Sequence, residues 1–173
     1  MVDATQELAR RMLADYDART PGQFFGEPLD LTPVQAYALQ AEVAGLREHR
    51  GEKVIGYKVG CTSRPIQVQL AVEEPIFGRL FDTECHPSGV HLSSTRYANL
   101  AVEGEMAVRL SKDLPIEPLS PEECREAIAE VFPVVELHHY VLPGAWPPGL
   151  AFTTFALGLS QTRECPYEGE SLW

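Results

Sequence analysis

The chain has 173 residues, with 14 basic and 25 acidic side chains and a formal net charge of −11. That length fits one domain of average size, and 45% hydrophobic with 23% charged residues is typical of a folded rather than a disordered chain. The acidic balance argues against a nucleic-acid partner and against docking on an anionic membrane surface. We therefore expect a protein that handles a small molecule or a metal ion.

The cysteines indicate a reducing compartment. They are widely spaced and form no CxxC pair: Cys61, Cys85, Cys124 and Cys165. A small secreted chain would carry a denser cysteine framework. The N-terminal 18 residues are amphipathic rather than signal-like, and no apolar run is long enough to cross a bilayer. We expect a cytoplasmic protein.

The N-terminal region is predicted to be helical. Apolar residues recur at helical spacing over residues 4–17, which indicates a first helix. A second helix is predicted to begin after Thr32, because Pro33 suits the first turn and Gln35 completes a capping box. Gly51 is expected to end it. We assign residues 1–52 to this helical region.

Beyond Lys53, short apolar segments separated by Gly and Pro predict strands. These segments are Val54–Val59, Gly89–Leu92, Ala101–Leu110 and Val134–Tyr140. One helix, Cys124–Phe132, is predicted to follow a capping box that starts at Ser120. Helices followed by strands with a single insertion indicate an α+β fold with a mixed sheet. We assign residues 53–142 to this β-rich region.

The pattern changes after Leu142. Residues 143–149 are rich in Gly and Pro, Leu150–Leu159 is apolar, and Glu164–Trp173 has no periodicity. We expect residues 143–173 to be a divergent tail that adds no strand to the sheet.

Two acidic residues share one face of a predicted strand. Side chains alternate along a strand, so Glu103 and Glu105 point to the same side while Val102 and Met106 point to the other. Two such carboxylates are close enough to converge on one cation. A solvated acidic face on an edge strand is the alternative.

A third acid and two histidines lie in the predicted strand Val134–Tyr140. Glu136 sits in a mostly apolar run, where burial is costly unless the acid is paired or bound to a metal. Three glutamates from two strands would give an all-oxygen site, which suits Mg²⁺ or Mn²⁺ and disfavours zinc. His138 shares the face of Glu136, and a histidine there would ordinarily support the ligands or belong to the core.

A lysine lies inside another predicted strand. Lys58 is flanked by Gly56 and Gly60, and a lysine in a buried strand is unusual unless a negative charge or a substrate faces it. An edge lysine whose ammonium reaches solvent is the alternative. The glycine spacing matches neither a P-loop nor a dinucleotide-binding motif.

The motifs in combination resemble the fumarylacetoacetate hydrolase family, in its 2-keto-4-pentenoate hydratase and oxalocrotonate decarboxylase branch. The resemblance runs from about Val34 to Val141. The motifs are Gly56-Tyr-Lys-Val-Gly60 with Thr62-Ser63, Glu74–Asp82, Val102-Glu-Gly-Glu105 and Val135-Glu-Leu137. It implies a barrel-like α+β fold and a homo-oligomer.

The resemblance also implies the site and its chemistry. Glu103, Glu105 and Glu136 would bind Mg²⁺ or Mn²⁺, and Lys58 would lie in the active site. A small 2-oxo acid or its dienol would chelate the ion, which would stabilise enolate charge during hydration in the catabolism of aromatic compounds. Decarboxylation passes through a similar enolate, so the fold does not choose between the two reactions. An acylpyruvate-type hydrolase is a further alternative.

Two departures from the family pattern bear on catalysis. Ile76 stands where hydratases often carry an acid, so Glu74, His138 or His139 would replace it, and Asp82 in the same motif is a further catalytic candidate. The likeness also fades after Leu142, from which we expect a chain truncated at its C-terminal end. A truncated chain without catalytic activity is therefore the alternative outside the enzymes.

Overall fold

The computed structural model describes residues 4–19, 31–139 and 160–164, the last group for its backbone only. The helices are α1 (Ala4–Ala18), α2 (Pro33–His49), α3 (Arg64–Leu70) and α4 (Pro121–Glu126). The strands are β1 (Val54–Gly60), β2 (Ile76–Phe81), β3 (Ala101–Leu110), β4 (Ile128–His138) and β5 (Ser160–Glu164). The predicted α+β class is confirmed.

The two N-terminal helices pack against each other as an amphipathic pair. The Thr32 hydroxyl accepts a hydrogen bond from the Gln35 backbone, and the Gln35 side chain accepts one from the Thr32 backbone, so the predicted start of α2 is confirmed. Their shared core is apolar and nearly inaccessible to solvent: Ala9, Met12, Leu39, Val43 and Ala98. Burial of this face, rather than helix propensity, holds α1 in place.

The strands form two antiparallel sheets. β1 pairs with β2 so that Lys58 lies opposite Gly78. The second sheet has the order β3-β4-β5, and within it Glu103 lies opposite Glu136. This register carries the functional argument, because it fixes which side chains of β3 and β4 share a face.

Some predicted elements are wrong. The helix predicted over Cys124–Phe132 ends at Glu126, and the chain enters β4 at Ile128. The capping box does form, but residues from Ile128 onward pair with β3, and this pairing overrides the helical spacing. Gly89–Leu92 is not a strand, whereas α3 and β2 were not predicted at all.

The C-terminal region departs from expectation at one described segment. Ser160–Glu164 is a strand that pairs with β4, so the expectation that the tail adds no strand is wrong there. Its sequence, Ser-Gln-Thr-Arg-Glu, lacks the apolar alternation that marks a strand. The predictions for residues 143–159, and for Tyr140 at the end of β4, lie outside the described residues.

Within the described part of the chain, no helix combines the length and apolar character needed to cross a membrane.

Candidate metal centre

The pairing of β3 with β4 gathers acidic side chains on one face. Glu103 lies directly opposite Glu136, and Glu105 and His138 follow at two-residue spacing on their own strands. Ligand atoms of Glu103, Glu136 and His138 all lie within 4.8 Å of one another. We use the name glutamate cluster for five side chains, which are Glu103, Glu105, Glu136, His138 and Lys58.

A lysine from the other sheet completes the cluster. The Lys58 Nζ donates to Glu105 Oε1 at 2.6 Å and to Glu136 Oε2 at 2.5 Å. Burial alone would lower the pKa of Lys58, but the hydrogen bonds and negative charges of these two glutamates outweigh it and raise the pKa. Lys58 therefore faces negative charge, which was one of the two sequence-based interpretations.

The cluster has a buried floor and an open mouth. The side chain of Glu136 is 3% exposed and that of His138 is 9% exposed, whereas that of Glu103 is 56% exposed. His138 Nε2 lies 3.1 Å from Glu103 Oε1. Glu136 and His138 are thus fixed by burial, whereas the Glu103 carboxylate is open to solvent or to a ligand.

The donor set fits a divalent cation. Three carboxylates and one ammonium leave a formal surplus of two negative charges, and the ammonium contacts Glu105 and Glu136 but not Glu103 in these ion pairs. Carboxylates held this close repel one another, and burial of Glu136 makes that repulsion costly. A divalent ion would neutralise the surplus with ligands that Mg²⁺ and Mn²⁺ prefer.

Asp82 lies away from the glutamate cluster. Its carboxylate accepts a hydrogen bond from the Lys53 backbone at 2.9 Å, and its own backbone N–H donates to the Lys53 carbonyl. It thereby ties the end of β2 to the start of β1. Lys58 follows Lys53 by five residues, which at the rise of a strand places it roughly 16 Å from the Lys53 backbone that Asp82 contacts.

His139 is held by backbone groups rather than by the cluster. Its Nδ1 accepts a hydrogen bond from the Ala98 N–H at 2.8 Å, and its Nε2 lies 3.0 Å from the Tyr16 carbonyl. These partners fix a neutral ring with the proton on Nε2. Burial lowers the pKa of His139 and outweighs the opposite effect of the Tyr16 carbonyl. This ring links α1 to the end of β4.

Ile76 stands at the position where the resemblance led us to expect an acid, and its side chain has no group that transfers a proton. Ile76 is buried against Cys61 and Val72. Glu74 lies exposed just before β2. Of the suggested substitutes, only His138 touches a glutamate of the cluster in the contacts described above.

A second charged cluster was not predicted. The Arg47 guanidinium binds Glu52 at 2.5 Å and Glu84 at 2.7 Å, and Arg50 binds Glu52 and the exposed Asp17. We call these five residues, with the Tyr16 hydroxyl that donates to Glu84, the arginine network. Its signal was present in the sequence, since Arg47 lies four residues after the buried Val43 on the apolar stripe of α2.

Comparison with known proteins supports the resemblance. The chain is 35% identical over 122 residues to 2-hydroxyhexa-2,4-dienoate hydratase of Comamonas testosteroni, which covers 69% of this chain and 46% of the relative. It is 34% identical over 102 residues to 2-keto-4-pentenoate hydratase of Burkholderia vietnamiensis, which covers 59% of this chain and 39% of the relative. The chain thus spans less than half the length of these relatives. No protein-family model matches it.

The fold has a counterpart among solved structures. The 4-oxalocrotonate decarboxylase from Pseudomonas putida G7, complexed with magnesium and adipate, superposes with a TM-score of 0.84 at 22% identity. The superposition covers 95% of this chain and 63% of that chain. The resemblance to the hydratase and decarboxylase branch, drawn from the motifs, is confirmed, and the fold is shared with this decarboxylase.

Proposed function

We propose that this chain, a homologue of 2-hydroxydienoate and 2-keto-4-pentenoate hydratases, is a metal-dependent hydratase that acts on a small 2-hydroxydienoic or 2-oxo acid. Such a lyase would serve in the catabolism of aromatic compounds. The observation that carries the proposal is the glutamate cluster, in which two strands of one sheet and a lysine of the other meet at a partly open site.

Glu103, Glu105 and Glu136 are the proposed ligands of Mg²⁺ or Mn²⁺. The decarboxylase of the same fold is complexed with magnesium, and the oxygen-rich donor set of the cluster agrees with such an ion. When bound, the ion supplies Lewis-acid stabilisation of enolate charge on the substrate. The exposed Glu103 lies where an incoming acid would approach, and the buried Glu136 fixes the floor.

Lys58 is the proposed proton-holding group beside the substrate. Its two carboxylate partners raise its pKa, so at neutral pH the Nζ carries a proton and acts as a donor rather than as a base. The ammonium also offers an opposite charge to a substrate carboxylate. Lys58 thereby orients the acid and supplies a proton where charge develops.

Decarboxylation of a related 2-oxo acid is the second candidate, because the superposed neighbour is a decarboxylase. An acylpyruvate-type hydrolase would need a base that activates water. Of the two histidines considered for that role, His139 has both ring nitrogens engaged by backbone groups, which leaves it no lone pair with which to activate water.

An ultraviolet assay tests the proposal. The chain is first stripped of metal and then supplied with Mn²⁺ or Mg²⁺. We expect the ultraviolet absorbance of a 2-hydroxydienoic acid to fall as the substrate is hydrated, without release of CO₂. Lys58→Ala should abolish turnover, whereas Lys53→Ala, a change to an exposed lysine just before β1, should not. Release of CO₂ would instead identify a decarboxylase. If metal is present and neither 2-hydroxydienoic nor 2-oxo acids are turned over, the proposal that the chain is an enzyme is refuted.

We further propose a homo-oligomer located in the cytoplasm. Support for association comes from β3, which lies at the edge of its described sheet and exposes Val102, Met106 and Val108. Support for a reducing compartment comes from the sequence, in which the cysteines are widely spaced and form no CxxC pair. Light scattering on a size-exclusion column should give a mass above the 19.2 kDa of one chain, and fractionation of cells should locate the protein.

The regional division also remains a proposal. The boundary between residues 1–52 and 53–142 agrees with the end of α2 at His49 and the start of β1 at Val54. Limited proteolysis should cut near residue 142 before it cuts within β1 or β3, and early cleavage inside these strands would contradict the division.

A further inference from the structure

We infer that His138 is itself a metal ligand through Nε2, so that the site has mixed nitrogen and oxygen donors and prefers transition ions such as Mn²⁺ over Mg²⁺. This inference rests on the proposed function, since it assumes that a divalent ion binds at the glutamate cluster. It changes the ligand set and the selectivity that the sequence predicted, which was an all-oxygen site.

The geometry of the cluster carries the inference. His138 Nε2 lies 3.1 Å from Glu103 Oε1, and one ligand atom of each residue lies within 4.8 Å of a Glu136 carboxylate oxygen. Two donors each about 2.1–2.2 Å from one ion, and at right angles, lie about 3 Å apart. The spacing of the imidazole and the Glu103 carboxylate is therefore that of neighbouring ligands.

The fold holds the imidazole at this place. His138 is the last residue of β4 and shares the face of Glu136, two positions earlier, because side chains alternate along the strand. Its side chain is 9% exposed, so the ring has little freedom to turn away from Glu103. His139, the next residue, lies beyond the end of β4 and contacts the Ala98 and Tyr16 backbone groups instead.

The Lys58 ammonium does not occupy the side of the cluster where His138 and Glu103 lie. The ammonium contacts Glu105 and Glu136, whereas the contact of Glu103 is with His138. A cation that binds beside Glu103 thus meets an imidazole nitrogen and two carboxylates. Imidazole nitrogen favours first-row transition ions, while Mg²⁺ is held mainly by oxygen ligands and water.

Pulsed electron paramagnetic resonance on the Mn²⁺-loaded full chain tests this directly. We expect ¹⁴N modulation from a bound imidazole, and its replacement by a ¹⁵N pattern when all histidines are labelled with ¹⁵N. The labelled wild-type chain gives an answer even where a substitution fails to fold. It also requires no turnover.

A substitution assigns the signal. His138→Gln should remove the nitrogen modulation, weaken Mn²⁺ binding about tenfold or more, and change Mg²⁺ binding much less. His91→Gln, at an exposed histidine outside the strands, should leave the signal and both affinities unchanged. Circular dichroism verifies that each variant is folded.

The outcomes separate the inference from the proposed function. Tight Mn²⁺ binding that depends on Glu103 and Glu136, but shows no nitrogen modulation, would overturn the role of His138 and leave the all-oxygen site standing. Equal losses of Mn²⁺ and Mg²⁺ affinity in His138→Gln would also overturn it. Failure of the wild-type chain to bind Mn²⁺ at all would refute the proposed metal site together with the inference.

Discussion

The arginine network and the glutamate cluster both bury acidic side chains, yet they balance their charges differently. In the network, Arg47 and Arg50 face the buried Glu52 and Glu84, and the extra carboxylate of Asp17 lies exposed. In the cluster, a single ammonium contacts two of three carboxylates, and the third lies beside His138. The paired charges of the arginine network therefore suit a structural role, whereas the surplus negative charge of the glutamate cluster suits the binding of a cation.

The network pairs each of its buried acids with a guanidinium. Its guanidinium at Arg47 stacks 3.7 Å from the centre of the Phe81 ring and reaches both buried acids, which joins α2 to the end of β2 and the turn that follows. Although burial alone would raise the pKa of Glu52, hydrogen bonds from Arg47, Thr83 and Arg50 lower it to about 2. Burial raises the pKa of Glu84. Only the first of these shifts favours a charged acid in the folded state.

The largest effect is expected from Glu136→Gln, which removes the buried charge at the floor of the cluster. Mn²⁺ binding, followed by calorimetry, should be abolished, because the amide keeps the shape but not the charge of the ligand. Glu130→Gln, an exposed position on the same strand, should bind as the wild type does. If Glu136→Gln keeps its affinity for Mn²⁺, the glutamate cluster is not a cation site and does not differ in this respect from the arginine network.

Arg47→Met tests the opposite cluster. It leaves Glu52 and Glu84 buried without their main counter-charge, which should cost about 3–5 kcal/mol of unfolding free energy. The melting temperature should fall by roughly 10 °C for a chain of this size. The increase in melting temperature on adding Mn²⁺ should persist, measured by calorimetry on both proteins. A variant that loses this increase would show that the two clusters are coupled.

Lys58→Met increases the charge surplus of the cluster. We expect Mn²⁺ affinity to rise about tenfold, since a positive charge within hydrogen-bond distance of two ligands no longer opposes the ion. Turnover should be lost in the same variant, so binding and catalysis should change in opposite directions. Lys53→Met serves as the matched control, and weaker binding in Lys58→Met would contradict a competing ammonium.

The smallest effect is expected in the acid range. The pKa of Glu52 is lowered to about 2 from its usual 4.5, so its stabilisation is complete above pH 4.5 and is lost as the pH falls towards 2. Glu52→Gln should flatten this part of the profile by about 1–2 kcal/mol, because it removes this one titration while that of Glu84 remains in both proteins. Urea unfolding at pH 3, 4, 5 and 7 measures it, and an unchanged slope would remove Glu52 from the network.

Local signals predicted much of the scaffold. The bounds of β3 and the start of α2 follow from strand alternation and a capping box, which neighbouring residues determine. The same alternation predicted that Glu103 and Glu105 share a face. The start of β4 was wrong because pairing with β3 decides it, and β5 was missed because its residues carry no apolar pattern.

Other features depend on contacts between distant residues. The register that sets Glu103 opposite Glu136, and the contact of Lys58 with Glu136, join segments that no local pattern relates. The burial of Arg47 depends on acids from two other segments. Strand alternation predicted that His138 shares the face of Glu136, but only the three-dimensional surroundings show that its ring lies beside the Glu103 carboxylate and that His139 is held by backbone groups.

The hydrogen bond from His139 to the Tyr16 carbonyl spans 123 residues and therefore constrains the order of folding. During synthesis, the contact of α1 with His139 must wait roughly 6–25 s for the end of β4 at ordinary translation rates. The apolar face of α1 can pack on α2 well before that, because α2 is complete at His49. The helix pair thus forms first, and the later contact at His139 is entropically slow because it closes so long a loop.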